Sequence, residues 1–214
     1  VQTPLPTRLI LVRHAQTLWN LEHRYAGDSE VGLAPQSVEQ IALLTKRLRH
    51  EQVDAIYAST ITRCLLTIEP TAEIHHRRII KREELRERNL GEWEGRIASE
   101  IHPAHAGYHF PESAYDGSFR VPDSEPLDEL EDRIRSVLRE IVEAHPGQSV
   151  VVATHAGVIW MIQARIILNP PKKLHWTMNC AVVTLEAEHG HYTLKAIEEQ
   201  DSYVLPKALN HSND

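Results

Sequence analysis

Two short apolar runs constrain this chain more than any other feature. Leu9-Ile10-Leu11-Val12 and Val150-Val151-Val152-Ala153 are continuously hydrophobic rather than alternating, the pattern of strands buried on both faces. Such strands need helices above and below them, and helical stretches follow at suitable spacing. Val38, Ile41, Leu44 and Leu48 share one helical face, with Pro35 just ahead of it where proline is tolerated. Ala55 to Ala58 is a further short strand. Ile61, Cys64, Leu65 and Ile68 then recur at helical spacing, and Pro70 is expected to kink or interrupt that helix. Ile79-Ile80 adds another strand. Leu127, Leu130, Ile134, Val137, Leu138, Ile141 and Val142 mark a long amphipathic helix that stops at His145-Pro146-Gly147. Val158 to Leu168 reads as the helix after the second apolar run. Ala181 to Ala187 and His191 to Ile197 form a hairpin turning at His189-Gly190. This alternation predicts an α/β protein, a three-layer α/β/α fold with a mostly parallel central sheet.

At 214 residues the chain reads as a single domain, 1–214. Pro103, Gly107, Pro111, Gly117 and Pro122 break the pattern into an irregular insert over about 96–123, and the polar stretch 206–214 is expected to fray. A formal net charge of -7 implies no broad basic surface, which argues against nucleic acid or an acidic membrane as partner. A local pocket can still bind an anion with two or three focused cations. Cys64 and Cys180 are the only cysteines and form no closely spaced motif, as expected of a reduced, cytoplasmic protein. There is no apolar run long enough to span a bilayer, and Val1 to Thr7, with two prolines, does not read as a signal peptide. The oligomeric state is not fixed by the sequence, although the terminal hairpin offers a sheet edge for a homodimer.

The chemistry concentrates where the two apolar runs end. One continues as Arg13-His14-Ala15, the other as Thr154-His155-Ala156. In open α/β sheets ligands bind outside the carboxyl ends of the strands, so both histidines are expected on the functional rim. Either histidine alone reads equally well as a cap on a core strand. Arg13 shifts that balance, because a cation at the end of an apolar strand is expensive unless an anion visits. Arg63, shortly after Tyr57-Ala58-Ser59, can reach the same rim with a second planar fork suited to phosphate oxygens. On spacing alone, however, Arg63 reads as a surface salt bridge.

Four motifs make the pattern specific. Arg13-His14-Ala15-Gln16-Thr17 with Asn20 resembles the opening signature of the histidine phosphatase superfamily, in its phosphoglycerate-mutase-like branch. Tyr57-Ala58-Ser59-Thr60 through Arg63 and Thr67 resembles the second motif. Leu85-Arg86-Glu87 with Gly91-Glu92-Trp93-Glu94-Gly95 resembles the third, and Thr154-His155-Ala156-Gly157 the fourth. The resemblance implies a phosphoglycerate-mutase-like fold and a metal-independent phosphatase acting on a small phosphorylated substrate, with no cofactor. It implies His14 as the nucleophile that becomes phosphohistidine. Arg13, Arg63 and His155 would hold the phosphoryl oxygens, helped by Asn20, Gln16 and Ala156 around the same group. Glu87 would be the general acid and then the base. Its neighbours Arg86 and Arg88 are expected to point outward, since inward guanidinium groups would hold its carboxyl down. The family alternative is a phosphoglycerate mutase, although little Lys or Arg lies between Glu87 and His155. A non-catalytic relative that binds a phosphorylated ligand would normally have lost His14, Glu87 or an arginine, and all are present.

Other readings compete at several positions. Lys81 to Glu92 is a charge run of the kind that usually forms a solvated face, and Glu83, Glu84, Glu92 and Glu94 rival Glu87 on composition. Trp93 reads as packing. His75-His76 reads as a helix end. His102, His105 and His109 suggest a metal site, but Pro103 and Gly107 break any helix aligning them, so no metal is assigned. Tyr108, Phe110, Tyr115 and Phe119 form either an apolar wall for the leaving group or a satellite core. The chain departs from the family pattern at Ala15, Ser37, Thr60, Pro126 and Ala156, and between Glu198 and Leu205. Those departures bear on the substrate rather than the reaction.

Overall fold

The computed structural model describes residues 5–101, 115 and 121–200. Six strands form one sheet in the order β3-β2-β4-β1-β5-β6. They span Thr7–Arg13 (β1), Ala55–Ser59 (β2), Ile79–Arg82 (β3), Ser149–Thr154 (β4), Val182–Glu188 (β5) and His191–Glu198 (β6). β3, β2, β4 and β1 run parallel, while β5 and β6 return antiparallel. β1 and β4 lie in the middle and are buried along almost their whole length, as their unbroken apolar runs require. The β5–β6 turn has positive φ at both His189 and Gly190, the conformation favoured by a tight hairpin.

Helices cover both faces. α1 is the single turn Leu18–Leu21, capped by Thr17 and Asn20 in a reciprocal box. On one face lie α2 (Ser37–Leu48) and α3 (Thr62–Ile74), around a core containing Ile10, Val12, Leu44, Ile56, Ile68 and Val151. The other face carries α4 (Ala98–Ile101), α5 (Leu127–Ala144) and α6 (Ala156–Met161), the last continuing as a π-helical turn over Ile162–Ile166. α5 buries Leu130, Ile134, Val137, Leu138 and Ile141, and Asp128 and Glu129 sit favourably in its first turn.

Pro70 does not interrupt its helix, which was one of the two outcomes expected of it. α3 runs through it to Ile74, where His75 caps the end and His76 turns with positive φ. Pro70 removes the bond to the carbonyl of Leu66, a residue on the exposed side of the helix. The His102, His105 and His109 cluster, the aromatics Tyr108, Phe110 and Phe119, and the tail 206–214 lie outside the described residues. So does most of the 96–123 insert.

Truncating Ile134, fully buried where α5 meets the sheet, removes packing that cannot collapse to fill the gap. Ile134→Ala should cost about 2–5 kcal/mol. In urea unfolding the midpoint should fall with the slope unchanged.

Candidate active site

The site follows from the pairing of β1 with β4. Their parallel register sets Val12 beside Ala153 and Arg13 beside Thr154. His14 and His155 are the next step on each strand, and the His14 N–H continues the ladder by donating to the Thr154 carbonyl (3.0 Å). The two imidazole rings lie 5.3 Å apart. β2, parallel to β4, ends at the same rim with Ser59. Helix α3 then carries Arg63 back over the rim from the far side of that strand.

Arg13, His14, Arg63 and Glu87 line one small cleft, and Asn20 and Ala156 also border it. Both guanidinium groups are buried and held by carbonyls rather than by carboxylates. Arg63 donates to the carbonyls of Ser29 (2.7 Å) and Gly27 (2.6 Å), and Arg13 donates to that of Thr177. The Nε of each arginine is buried without a partner. Two buried cations with spare donors and no carboxylate bonded to either make a receptor for an anion.

His14 directs Nδ1 at the carbonyl of Ala15 (2.8 Å). A carbonyl only accepts, so the proton is assigned to Nδ1 and Nε2 is left with its lone pair. His155 is held at both nitrogens: Arg63 donates to Nδ1 (3.2 Å), which assigns the proton to Nε2, and that donates to Ser59 Oγ (2.9 Å). The Glu87 carboxylate accepts from the backbone N–H of Arg88 and of Gly157 (2.9 Å each). Position 157 must be glycine, because a Cβ there would overlap the Tyr115 ring. Tyr115 is fully buried and packs on Trp160 and Trp176, with its hydroxyl end against Glu87.

The sequence matches the model of the histidine phosphatase superfamily, branch 1, over residues 9–200. The chain belongs to that superfamily. It is 28% identical over 200 residues to phosphoserine phosphatase 1 of Hydrogenobacter thermophilus, covering 92% of this chain and 90% of that one. It is 31% identical over 171 residues to the metal-independent phosphoserine phosphatase of Arabidopsis thaliana, covering 75% and 68%. Among solved structures, that of Bacillus stearothermophilus YhfR superposes with a TM-score of 0.77 at 26% identity, covering 89% of this chain and 96% of that one. Membership makes the chain a phosphoric monoester hydrolase with the phosphoglycerate-mutase-like fold.

The electrostatics of this phosphatase cleft are set mainly by burial. Loss of water holds His14 well below the usual histidine range, and the guanidinium groups of Arg63 and Arg13 push it further down. His155 is lowered in the same way by burial and then by Arg63. Burial raises Glu87, against the opposing pull of its two backbone N–H donors and of Arg63. Arg13 comes down to about 10 through burial, and stays charged at neutral pH.

Arg86 lies outward as expected, against Asp28 and Glu83. Arg88 does not: it is 4% exposed. Its guanidinium is taken up by the Glu125 carbonyl (2.7 Å), Ser124 Oγ (3.0 Å) and the face of Tyr115, so burying it leaves Glu87 raised all the same. Gln16 does not line the small arginine cleft; it lines an adjoining cavity of about 260 Å³ that shares Arg13 and Asn20 with it and is walled by Tyr25, Trp176 and Asn179. Trp93 packs in the core against Tyr25.

Two side chains that sequence reasoning passed over organise the rim. Asn179 donates to the His14 carbonyl (3.0 Å) and to Asn20 Oδ1 (3.1 Å). Glu94, a rival of Glu87 by composition, faces the loop that holds Arg63. It accepts from the N–H groups of Leu90 (2.9 Å), Asp28 (3.2 Å) and Ser29 (3.1 Å), and from the Ser29 hydroxyl. Gly27, with positive φ, leaves room for that carboxylate. Among the described residues no group of three or more His, Cys, Asp or Glu could hold a metal ion, and no helix is long and apolar enough to cross a membrane.

Replacing Glu94 by Gln turns an amide donor toward N–H groups that need acceptors. The loop carbonyls that hold Arg63 should then shift. Inhibition by inorganic phosphate should weaken by about tenfold, roughly the worth of one charge-assisted hydrogen bond. The competitive inhibition constant measures it.

Proposed function

We propose that the chain hydrolyses a small phosphomonoester through a phosphohistidine formed on His14. One observation carries the reading. The bare Nε2 of His14 shares a cleft with two buried guanidinium groups that have donors to spare and with a buried carboxyl of raised pKa.

Nε2 attacks phosphorus in line with the ester oxygen, forming the N–P bond as the P–O bond breaks. Arg13 and Arg63 hold the phosphoryl oxygens, where the charge of the transition state is spread. Asn20 and Ala156 border the same group. Gln16 faces the leaving-group side. His155 first steers Arg63; it turns to the phosphate once the incoming dianion displaces that contact and offsets the burial that keeps its ring neutral. Glu87 gives its proton to the departing alcohol. As a carboxylate it then takes a proton from water, which attacks the phosphohistidine and releases inorganic phosphate with His14 regenerated. No step calls for a metal or a cofactor. Two buried, free thiols suit a reducing, cytoplasmic setting.

The same intermediate serves a mutase, which returns the phosphoryl group to bound product, and the chain also resembles a plant phosphoglycerate mutase-like protein. Hydrolysis is favoured because, among the described residues, the only cation lining the cleft besides the two that one phosphate needs is Arg24. Turnover of p-nitrophenyl phosphate should persist in EDTA, and bisphosphoglycerate should not be needed. His14→Ala should lose at least about a thousandfold in kcat, and an alkaline quench should trap an acid-labile phosphoenzyme in the wild-type chain and none in His14→Ala. Mutase activity exceeding hydrolysis would reverse the choice.

The pH profile has a defined sign. His14 must be neutral, and its lowered pKa puts the acid limb of kcat/KM below the 6.5 of a free imidazole. Glu87 must be protonated, and its raised pKa puts the alkaline limb above the 4.5 of a free carboxyl. A bell is expected, with its acid limb below that of a free imidazole and its alkaline limb above that of a free carboxyl. Glu87→Gln should abolish the alkaline limb while the ionisation of the substrate phosphate near pH ~6 remains.

A further inference from the structure

Glu87 lies on no strand or helix. It follows the 3-10 turn Glu83–Leu85 on the segment between β3 and the second such turn, Gly91–Trp93. A general acid needs its proton within hydrogen-bond reach of the leaving oxygen, so something must fix this segment. Two carboxylate contacts, to the backbone N–H of Arg88 and of Gly157, aim the group locally. The backbone that carries it is held from outside, by α5.

Arg133, one turn and a half into that helix, turns its guanidinium under the segment. Nη1 donates to the carbonyls of Glu84 (2.7 Å) and Arg86 (2.8 Å), and Nη2 to that of Glu87 itself (3.2 Å). The other side of the fork is fastened to the Glu125 carboxylate, at 2.6 Å from Nε and 2.8 Å from Nη2. Glu125 is itself anchored: its N–H donates to the Asn89 carbonyl (3.0 Å), and its carbonyl accepts from Arg88 (2.7 Å). All five donor hydrogens of one arginine are thus engaged on the residues that bracket Glu87. A lysine, with one nitrogen, cannot span these carbonyls and the carboxylate together.

We propose that Arg133 is a positioning residue for the acid–base step: its guanidinium, tethered to Glu125, clamps the carbonyls of Glu84, Arg86 and Glu87 and so fixes where the Glu87 carboxyl stands against the leaving oxygen. The inference rests on the phosphatase reading above. It also has an electrostatic consequence. Glu87 faces the guanidinium groups of Arg13 and Arg63 across the cleft, that of Arg88 beside it, the Tyr115 hydroxyl and the Cys64 thiol. Arg133 is the cation behind its backbone, and it favours the ionised carboxylate.

The test compares two substrates on the full chain. p-Nitrophenyl phosphate departs as a stable phenolate and needs little help from an acid, whereas an alkyl phosphate such as phosphoserine needs a proton delivered. kcat/KM reports the steps through release of the alcohol. In Arg133→Gln it should fall by about tenfold to a hundredfold on the alkyl ester, a fraction of the usual worth of general acid catalysis, and by less than about threefold on the aryl ester. The alkaline limb should move to higher pH, because a cation that favours the carboxylate has gone. Arg133→Lys should show the same substrate-dependent loss with the limb nearly in place, since it keeps the charge but not the fork. Glu125→Gln, which leaves Arg133 present but loosens its tether, should show a smaller loss in the same direction. It keeps the test open if Arg133→Gln does not fold. Equal losses on both esters, with an unmoved limb, would mean a general structural role and overturn the proposal. A wild-type chain inactive on both esters would instead overturn the phosphatase reading.

Discussion

The parallel register of β1 on β4 is the constraint on which the rest depends. With Arg13 opposite Thr154, the next residues are His14 and His155, and their rings stand 5.3 Å apart at the rim. A one-residue slip would turn every side chain of β1 to the opposite face of the sheet. Such a slip is blocked because both strands are buried on both faces, each face filled by its own set of residues. The same hydrophobic packing that makes the sheet therefore also sets the distance between the two imidazoles. The Arg63 guanidinium and Ser59 hydroxyl are then placed relative to His155 by the neighbouring strand, β2.

Burying two guanidinium groups beside this pair is costly, since neither forms a direct ion pair with a carboxylate. The structure offsets the cost with carbonyls: Ser29, Gly27 and Thr177 each turn one toward a guanidinium. Carbonyl dipoles solvate the cations without neutralising them, so their charge remains available to a phosphate. This is why the loops that supply those carbonyls are tied down so firmly. Glu94 collects four donors from the Leu90 and Asp28–Ser29 backbones and the Ser29 hydroxyl, and Asn179 links the His14 carbonyl to Asn20. The scaffold spends rigidity on parts of the chain that carry no chemistry themselves.

What was legible in the sequence was whatever a strand and its next two residues can carry. The apolar runs announced β1 and β4, and the residues after them announced the rim. Features that depend on distant segments meeting were not legible. Arg133 is one of three arginines along α5 with Arg135 and Arg139, and nothing local sets it apart; its contacts with Glu84 and Glu87 span 49 and 46 residues. Asn179 reaches His14 across 165 residues, and Glu94 reaches Asp28 across 66. The inward turn of Arg88 is hidden for the same reason, because the partners that draw it in, Ser124, Glu125 and Tyr115, come from far along the chain. Pro70 is a different case. Proline costs a helix one backbone bond, and α3 runs through that loss with Cys64, Thr67, Ile68, Thr71 and Ala72 buried along one face.

The cleft needs a base without its proton and an acid with one, in the same few ångströms. Exclusion of water provides both, because burial disfavours the charged form of each: it lowers His14 and raises Glu87. The arginines then separate the two cases. Their charge adds to burial at His14 but opposes it at Glu87, where two backbone N–H groups pull the same way as Arg63. An acid placed on the strand ends beside the guanidinium groups would be held ionised and could not deliver a proton. Setting Glu87 on a separate segment places it across the cleft from Arg13 and Arg63, where burial outweighs their pull and the carboxyl remains an acid.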